Sequence, residues 1–296
     1  IHQITGIIPQ FINVDLKDEQ ATCKAFNAHK DAKAVIHFAA HKAVGASVQK
    51  PLMYYKNNLF GLLNTLEAQI NLGINNFIFS SSATVYGMPQ NFPITEQFDT
   101  QRPFSPYGNT KKIAEEILED FVKSNTDFKT ISLRYFNPIG AHDSGLIGEL
   151  PQGIPNNLLP YITQTAIGKR EQLFVFGDDY PTPDGTPIRD YIHVVDLAEA
   201  HVEALNRLIN IKNESQFEIF NLGTGNGFSV LEIIKMFEEV SNKSLNYKIV
   251  ERRQGDVSEL YASTKLAAEK LTWSAKKGLK EMIQSAWNWE KNYNQK

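Results

Sequence analysis

The residues at positions 35–40 constrain the fold of this chain more than any other feature of the sequence. They read Val-Ile-His-Phe-Ala-Ala, an almost continuous apolar run. Such a run is typical of a strand with helices on both of its faces, and strands of this kind belong to parallel sheets. The run therefore predicts an α/β fold that is built on a parallel sheet.

Short β-rich runs alternate with helical patterns through the first half of the chain. The segment between Pro51 and Gly73 carries leucines at helical spacing, with proline at its start and glycine at its end. The segment after Pro106 places its apolar side chains on one helix face. This alternation predicts a Rossmann-like, doubly wound parallel sheet whose ligands bind at the carboxyl ends of its strands. The predicted strands span residues 11–16, 34–40, 76–87 and 130–140.

Glycine and proline interrupt this regular alternation after about Pro138. We therefore predict a Rossmann-like domain at residues 1–137 and a smaller α/β, substrate-binding lobe at residues 138–296, whose elements can interleave with the first domain. Helices are predicted at residues 160–168, 194–209 and 229–240. Ser229 is the expected N-cap of the last helix, where Glu232 completes a capping box.

Charge and composition exclude several classes of partner. The chain has 30 Lys and Arg against 33 Asp and Glu, so its net charge of −3 gives no reason to expect binding to nucleic acid or to an anionic membrane. It contains no apolar window of the roughly 20 residues that span a bilayer, and no signal-peptide pattern at its start. Cys23, the single cysteine, excludes an internal disulfide and fits a reducing compartment. We expect a cytoplasmic protein that acts on small molecules.

Tyr107 and Lys111 are the main candidates for catalytic residues. At a spacing of four near the start of a helix, both side chains project from one face. A nearby ammonium and the helix N-terminus favour phenolate, which brings a tyrosine with a usual pKa of about 10 towards the range of a general base. The alternative is a surface tyrosine near a solvated lysine, which is the commoner origin of so short a motif.

A second polar segment lies within the strand that is predicted at residues 76–87. There the apolar run breaks into Ser80, Ser81 and Ser82, at the end where a doubly wound sheet binds its ligands. A hydroxyl in this place can hold a reacting alcohol. Alternatively, these serines only satisfy the backbone groups of a turn.

Taken together, the serine-ended strand and the Tyr107-x-x-x-Lys111 pair resemble the extended short-chain dehydrogenase/reductase family. Further segments are similar to the UDP-glucose 4-epimerases of that family, and the similarity runs essentially from end to end. Several long matches in the right order are more specific than a single short motif. The matching segments are residues 37–45 (HFAAHKAVG), 133–138 (LRYFNP), 151–158 (PQGIPNNL) and 189–194 (RDYIHV).

The resemblance implies an NAD-dependent isomerase of galactose metabolism that interconverts UDP-galactose and UDP-glucose. Tyr107 would take the proton of the sugar 4-hydroxyl, Ser82 would hydrogen-bond that oxygen, and Lys111 would bind the nicotinamide ribose and lower the pKa of the tyrosine. Hydride would leave the sugar C4 for NAD and return to the other face of a 4-keto sugar. This reaction demands tight retention of the cofactor and strong anchoring of the nucleotide.

The resemblance also implies a cofactor site and a substrate site. Asp15 and Leu16 would contact the adenine end of NAD. The other implied cofactor residues are Phe38, Ala39, Ala40, Lys42, Asn57, Ser82, Tyr107, Lys111 and Phe136. The implied substrate residues are Asn137, Asn157, Leu158, Phe174, Val175, Phe176, Arg189, Tyr191, Leu260 and the segment 253–256, with Arg253 and Asp256. Arginines suit a diphosphate, but Arg189 could instead form a structural pair with a carboxylate.

Alternatives to an epimerase remain open. Nucleotide-sugar 4,6-dehydratases and decarboxylases of the same family place acidic residues just before Val-Tyr-Gly, where this chain has Ala83 and Thr84. Because no carboxylate is present there to act on C5 or on a leaving hydroxyl, epimerisation is favoured. From a different class, the chain could be a non-catalytic nucleotide-sugar-binding fragment.

Three further expectations concern substrate breadth, assembly and metals. The family tunes the room for a sugar N-acetyl group near Leu260 and Tyr261, and the bulky leucine favours UDP-glucose and UDP-galactose. The resemblance implies a homodimer through the helices at residues 51–73 and 105–121. His37, His193 and His201 lack metal-ligand spacing, so we expect structural histidines and no metal.

The opening residues depart from the family pattern. A dinucleotide-binding domain begins with a strand, a Gly-rich turn and a helix, followed by an acidic residue for the adenosine ribose. This chain shows none of these, so we expect Ile1 to lie roughly forty residues inside a complete family member and the sheet to lack its first βαβ segment. We further expect that this polypeptide alone binds NAD poorly, has little activity, and is destabilised by an open sheet edge.

Overall fold

The computed structural model describes residues 1–253 and 256–294. The strands are β1 (Val35–His37), β2 (Asn76–Ser82), β3 (Lys129–Tyr135), β4 (Asn137–Ile139), β5 (Leu173–Phe176), β6 (Ile188–His193), β7 (Phe217–Leu222), β8 (Gly227–Ser229), β9 (Tyr247–Val250) and β10 (Glu259–Leu260). The helices are α1 (His2–Thr5), α2 (Glu19–Asn27), α3 (Val44–Gln49), α4 (Pro51–Ile70), α5 (Pro106–Ser124), α6 (Leu158–Ala166), α7 (Val194–Ile209), α8 (Val230–Ser241) and α9 (Leu279–Asn294), with a 3₁₀ turn at Ala83–Tyr86 and a π-turn at Ala267–Leu271.

The central sheet is parallel, with the strand order β1-β2-β3-β7. Its register pairs Ser82, the last residue of β2, with Tyr135, the last residue of β3. Tyr135 in turn pairs with Leu222 at the end of β7. The carboxyl ends of these strands therefore lie along one edge of the sheet, which is where an α/β fold binds its ligands.

Helices cover both faces of the central sheet, as its apolar strands require. Phe77 and Phe79 of β2 pack against α4 and α5, whereas Ile78 between them packs against α7 on the opposite face. Successive residues of a strand point to opposite faces, so β2 contributes to both cores. The predicted doubly wound α/β fold is confirmed.

A second sheet has the strand order β10-β6-β4, with β8 paired antiparallel to β6, and β5 pairs with β9. Strands β4, β5, β6 and β8 share a core with α6, α8 and α9, in which Leu159, Phe237 and Ile283 are fully or almost fully buried. Elements of the second half also join the first sheet, because β7 pairs with β3 and α7 covers the sheet. The boundary at residues 137 and 138 stays a prediction, and these two elements cross it.

The prediction of a strand at residues 11–16 is wrong. This segment is irregular, and Phe11 is 84% exposed. Its main chain is held instead by a side chain of α4, because Asn64 Nδ2 donates to the carbonyl of Leu16 at 2.8 Å. An apolar pattern alone makes no strand, since a strand also requires a neighbouring backbone with which to pair.

The strand that was predicted at residues 130–140 divides at Phe136 into β3 and β4, which enter different sheets. The amide of Phe136 donates to the carbonyl of Leu222, beyond which the chain turns towards β6. Apolar residues continue through the bend, so periodicity could not place it.

Other predictions agree with the structure. The helix predicted at residues 194–209 is α7, and Ser229 caps α8 with both bonds of the predicted capping box to Glu232. Within residues 1–253 and 256–294, no helix has the length and apolar character needed to cross a bilayer.

Candidate active site

Ser82 lies at the carboxyl end of β2, where the strand passes into the 3₁₀ turn. Its hydroxyl oxygen accepts the amide N–H of Thr84 at 3.3 Å and the hydroxyl of Thr84 at 3.0 Å. The turn role that was considered for this serine is therefore present. The hydroxyl is also only partly buried, so it remains at the ligand edge of the sheet.

Tyr107 and Lys111 stand on the first turns of α5, as the spacing predicted. Ser105 caps this helix by accepting the amide of Gly108 at 3.1 Å, and Pro106 occupies the first helical position. Gly108 allows a close approach to the preceding loop, because a Cβ there would lie 2.7 Å from Cβ of Pro103. The helix start is thereby fixed against its surroundings.

Lys111 is not a solvated surface lysine. Its side chain is buried, its ammonium donates to the carbonyl of Ser80 at 2.5 Å, and it lies 4.8 Å from the centroid of the Phe79 ring. Burial lowers the pKa of Lys111 to about 8, and the negative charge of Glu115 acts in the opposite direction. The surface alternative for this pair is excluded.

Tyr107 is partly buried beside the end of β2. Burial raises the pKa of its phenol, while a hydrogen bond with Ser82 opposes that rise. The ammonium of Lys111, which was expected to lower this pKa, is directed to the Ser80 carbonyl.

The predicted cofactor residues after β1 lie in a loop at the same edge of the sheet. Phe38 and Lys42 are exposed, and Phe38 is 58% accessible. The loop is fixed by Asn58 of α4, whose amide oxygen accepts the N–H of His41 at 2.8 Å and whose amide nitrogen donates to the carbonyl of His41 at 3.1 Å. Asn57 donates to the same Asn58 oxygen at 3.0 Å.

The other predicted cofactor residues are placed less uniformly. Asp15 is exposed and pairs with Lys17 at 3.2 Å, and Leu16 sits in the following turn. Phe136 is buried in a small cluster that also contains Ala83 and Ala262. Leu260 packs partly buried against that cluster. The 3₁₀ turn after Ser82 thus touches the end of β10, so a substrate-lobe residue lies near the catalytic strand.

Arg189 forms the structural pair that the sequence left as an alternative. It is paired with Asp256, and it also donates to the carbonyl of Val257 at 2.8 Å and to that of Ile188 at 2.7 Å. Arg253 instead stacks on Phe176, with 4.0 Å between the guanidinium carbon and the ring centroid. Each of the two arginines therefore contacts another predicted substrate residue. Residues 254 and 255 of the predicted segment 253–256 lie outside the described residues.

Two predicted substrate residues face the core. Val175 and Tyr191 are both buried in the core of the second half, and burial raises the pKa of Tyr191 to about 12. Strand alternation explains Val175, because Phe174 and Phe176 on either side of it point outwards. The assignment of these two residues to the substrate site stays a prediction. Asn137 opens β4, and Leu158 opens α6.

Glu149, which the sequence did not single out, bridges two of the predicted site residues. Its carboxylate accepts the ammonium of Lys42 at 3.2 Å and the side-chain amide of Asn157 at 2.7 Å. A predicted cofactor residue and a predicted substrate residue are joined through it. Its only signal was a carboxylate in a Gly-rich loop, which is too common to be informative.

Buried carboxylates behind the site were also missed. Asp190, which is fully buried, accepts the amides of Thr224, Gly225 and Ala262. Glu115 lies one helical turn beyond Lys111 and is paired with Arg134. The spacing of four from Lys111 was a usable signal for Glu115.

The three histidines are engaged in internal contacts. His37 is buried between phenylalanine rings, and burial lowers its pKa to about 4. His193 caps α7 by accepting the amide of Val195. His201 Nδ1 donates to the carbonyl of Leu197, so its Nε2 accepts the hydroxyl of Tyr135. Across the residues that the structure describes, no group of three or more His, Cys, Asp or Glu could hold a metal ion.

Comparison with known proteins identifies the family. The family model that matches residues 4–286 is described as GDP-mannose 4,6 dehydratase. The UDP-glucose 4-epimerase of Haemophilus influenzae is 52% identical over 292 residues, which are 99% of this chain and 85% of that protein. The chain belongs to the UDP-glucose 4-epimerase family. The Mus musculus member is 50% identical over 98% of this chain and 83% of its own length.

Solved structures of family members share the whole fold. The UDP-glucose 4-epimerase of Bifidobacterium longum, in complex with NAD⁺ and UDP, superposes with a TM-score of 0.94 at 44% identity, over 99% of this chain and 86% of its own. The Stenotrophomonas maltophila enzyme, with bound NAD and formylated UDP-arabinopyranose, gives 0.95 at 43% identity over the same shares. The resemblance and the fold class stated from the sequence are confirmed.

Proposed function

We infer that this chain is an isomerase that interconverts UDP-galactose and UDP-glucose by transient oxidation and re-reduction at C4, with NAD as cofactor. The observation that carries this inference is the meeting of Ser82, Tyr107 and the buried Lys111 at one strand end, in a chain about half identical to epimerases. The similarity to epimerases indicates which reaction to expect, and the three side chains provide the groups that could catalyse it.

The loop after β1 would supply part of a dinucleotide site at the carboxyl end of the sheet. An exposed aromatic ring, Phe38, and an exposed ammonium, Lys42, follow β1 in a loop fixed by Asn58. Bound NAD would supply a hydride acceptor and donor for the sugar C4. Phe38, Ala39, Ala40, Lys42, Asn57 and Phe136 would hold it, with Asp15 and Leu16 towards the adenine end.

Proton transfer at the sugar O4 falls to Tyr107. The phenolate would take the hydroxyl proton and return it to the oxygen after the sugar has turned over. Ser82 would hold the same oxygen and compensate the charge that develops on it. Because burial raises the pKa of Tyr107, a positive charge brought close to the phenol is required to favour the phenolate.

Anchoring of the nucleotide falls to the second lobe. Arg189 and Arg253 would bind the diphosphate, since guanidinium groups make directional bonds to phosphate oxygens. Asn137, Asn157, Leu158 and the outward faces of Phe174 and Phe176 would contribute the rest. Strong contacts to the nucleotide and weak ones to the sugar permit the ketone to turn without escaping.

Dehydration is disfavoured by the residues around Ser82. Ala83 is buried and carries no acid, and the hydroxyl of Thr84 is donated to Ser82. Neither can protonate a leaving hydroxyl or remove a proton from C5. The broad family description therefore fits the fold of this chain, and the epimerase relatives fit its chemistry.

The experiment is to incubate the protein with UDP-galactose and saturating NAD and to identify the product by NMR. Formation of UDP-glucose, with no net change in NADH absorbance, supports the proposal. A 4-keto-6-deoxy sugar would instead establish dehydration. Binding of UDP without turnover at any NAD concentration would establish the non-catalytic alternative.

Assembly and location are part of the same proposal. Leu52, Met53, Phe60 and Leu63 of α4 and Phe104 before α5 are exposed large apolar residues, as a helical contact between two copies would require. We expect a cytoplasmic homodimer through α4 and α5. Sedimentation equilibrium checks the assembly, and a monomer at micromolar concentration would contradict it.

A further inference from the structure

Three consecutive serines end β2. Each of them faces one of three residues of α5, which are spaced one helical turn apart. Ser82 lies near enough to Tyr107 to lower the pKa of its phenol, and Lys111 donates to the carbonyl of Ser80 at 2.5 Å. Between these two, the hydroxyl of Ser81 donates to Glu115 at 2.6 Å. Two of these contacts belong to the proposed catalytic pair, but the contact with Glu115 has so far no function.

Glu115 is held with unusual completeness for a buried carboxylate. Its Oε1 accepts the hydroxyls of Ser81 and Ser132, at 2.6 and 2.8 Å, and Nε of Arg134 at 3.1 Å. Its Oε2 accepts Nη2 of Arg134 at 2.7 Å, and the two side chains are 7% and 3% exposed. Ser81 and Arg134 are direct partners in the β2–β3 register. One carboxylate therefore joins α5 to both central strands.

Stability alone does not account for such an arrangement. Replacing a buried ion pair with apolar residues of similar size is often neutral or stabilising, because the desolvation of two charges offsets their attraction. What an apolar contact cannot supply is direction, since hydrogen bonds fix distances and angles whereas apolar contacts permit sliding. The carboxylate thus fixes the height of α5 over the strand end.

We propose that Glu115 is a positioning residue for catalysis, which holds the Ser80–Ser82 strand end in place through Ser81 so that Ser82 meets Tyr107 and the Ser80 carbonyl meets Lys111. This inference rests on the proposed epimerase function. Glu115 touches neither of the two catalytic side chains through a hydrogen bond, so its effect on the reaction passes through the strand.

The matched test compares Ser81→Ala with Ser132→Ala. Each substitution deletes one hydroxyl that is bonded to the same Glu115 oxygen, and both serines are buried, at 1% and 0% exposure. They differ in position, because Ser132 pairs with Phe79 in the register, three residues before Ser82. Glu115→Gln is a poorer choice, since it leaves the charge of Arg134 buried and unpaired.

The expected result is a difference in turnover at equal stability. Ser81→Ala should lower kcat about tenfold with KM within about twofold of wild type, because a misplacement of about 1 Å can weaken catalysis strongly. Ser132→Ala should keep kcat within about twofold, with a similar fall in Tm. Ser81→Thr, which restores a hydroxyl, should recover turnover. Equal loss of kcat in the two alanine variants, or a change in KM alone, would overturn the proposal.

A second readout separates this inference from the proposed function. Amide hydrogen exchange at residues 80–84 should be faster in Ser81→Ala than in Ser132→Ala, and this measurement requires no substrate. If the wild type converts no UDP-galactose, the proposed function fails while the exchange comparison still decides the positioning role. Equal exchange in both variants would reject that role even in an active enzyme.

Discussion

The two sides of the candidate site are built in opposite ways. On the catalytic side, Lys111 is buried on a capped helix and bonded to the carbonyl of Ser80. On the nucleotide side, Arg189 is tied to the half-buried Asp256, and Arg253 lies on the outward face of Phe176. A sheet edge positions the groups that we propose to react, whereas the arginines that we propose to bind phosphate already have partners, which a diphosphate would have to replace.

This difference predicts which side is organised before a ligand binds and which side must exchange partners on binding. Buried contacts on the catalytic side are satisfied before any ligand arrives, so the reacting groups need little reorganisation. The arginines must exchange a carboxylate or an aromatic face for phosphate oxygens, which makes binding depend on the difference between two polar partners. Substitutions should therefore affect turnover and stability on the first side, and affinity on the second.

The largest effect is expected at Tyr107. Tyr107→Phe removes the proposed base and keeps the ring, so epimerisation at saturating NAD should fall by at least about a hundredfold. Circular dichroism should be unchanged. Tyr55→Phe is the control, because its hydroxyl accepts the side-chain amide of Asn109 at 2.7 Å and has no proposed role in proton transfer; activity losses of the same size in both variants would show that Tyr107 acts structurally.

A second prediction concerns the cost of burying Lys111. Its folded pKa is lowered from 10.5 to about 8, so between these pH values the unfolded chain binds a proton that the folded chain does not. The free energy of unfolding of wild type should therefore rise with pH in this window, by roughly 3 kcal/mol, relative to Lys111→Met.

Urea unfolding at several pH values between 7 and 11 measures this difference. Lys112→Met is the control, because Lys112 pairs with Glu116 near the surface of the same helix. A wild-type curve that runs parallel to that of Lys111→Met would mean that Lys111 is solvated in the folded protein.

On the nucleotide side, Arg189→Lys should weaken UDP binding about tenfold, because an ammonium cannot make the bidentate bonds of a guanidinium. Turnover at saturating substrate should change little. Isothermal titration calorimetry with UDP measures the affinity. Arg252→Lys provides the comparison, since Arg252 pairs with the exposed Asp179; equal weakening in both would assign the effect to net charge.

The smallest effect is expected at Leu260, which packs against the cluster after Ser82. Leu260→Ala should enlarge the space beside the sugar and improve kcat/KM for UDP-N-acetylgalactosamine by a few fold, roughly 1 kcal/mol in a small apolar contact. The rate with UDP-galactose should stay within about twofold. Similar rates of the wild type with both substrates would already contradict the steric argument.

The expectation that this polypeptide holds NAD poorly also stays a prediction, and it bears on every assay above. Gel filtration after loading with NAD, followed by absorbance of the protein peak, measures retention. Stoichiometric NAD in that peak would show that the described loops suffice. Loss of NAD would explain a requirement for added cofactor during turnover.

Much of the fold was predictable because the signals are local. The bounds of α7 and the capping box of α8 depend on residues within one or two turns of each other, and the Tyr107–Lys111 spacing depends on the helix alone. Residues 11–16 were mispredicted because a strand depends on a distant partner. The burial of Val175 and Tyr191 in a core could not be predicted, since a motif identifies a segment and not the face to which each side chain points.

The sequence by itself determined the fold class and the family resemblance, and it singled out Ser82, Tyr107 and Lys111 as the proposed catalytic residues. Only the tertiary structure decided which polar groups pair. Arg189 meets a carboxylate 67 residues away, and Lys42 meets one 107 residues away. Periodicity and caps reflect forces between neighbours in the chain, whereas ion pairs and buried networks depend on which segments the fold brings together. The serine contacts of Glu115 belong to this second class.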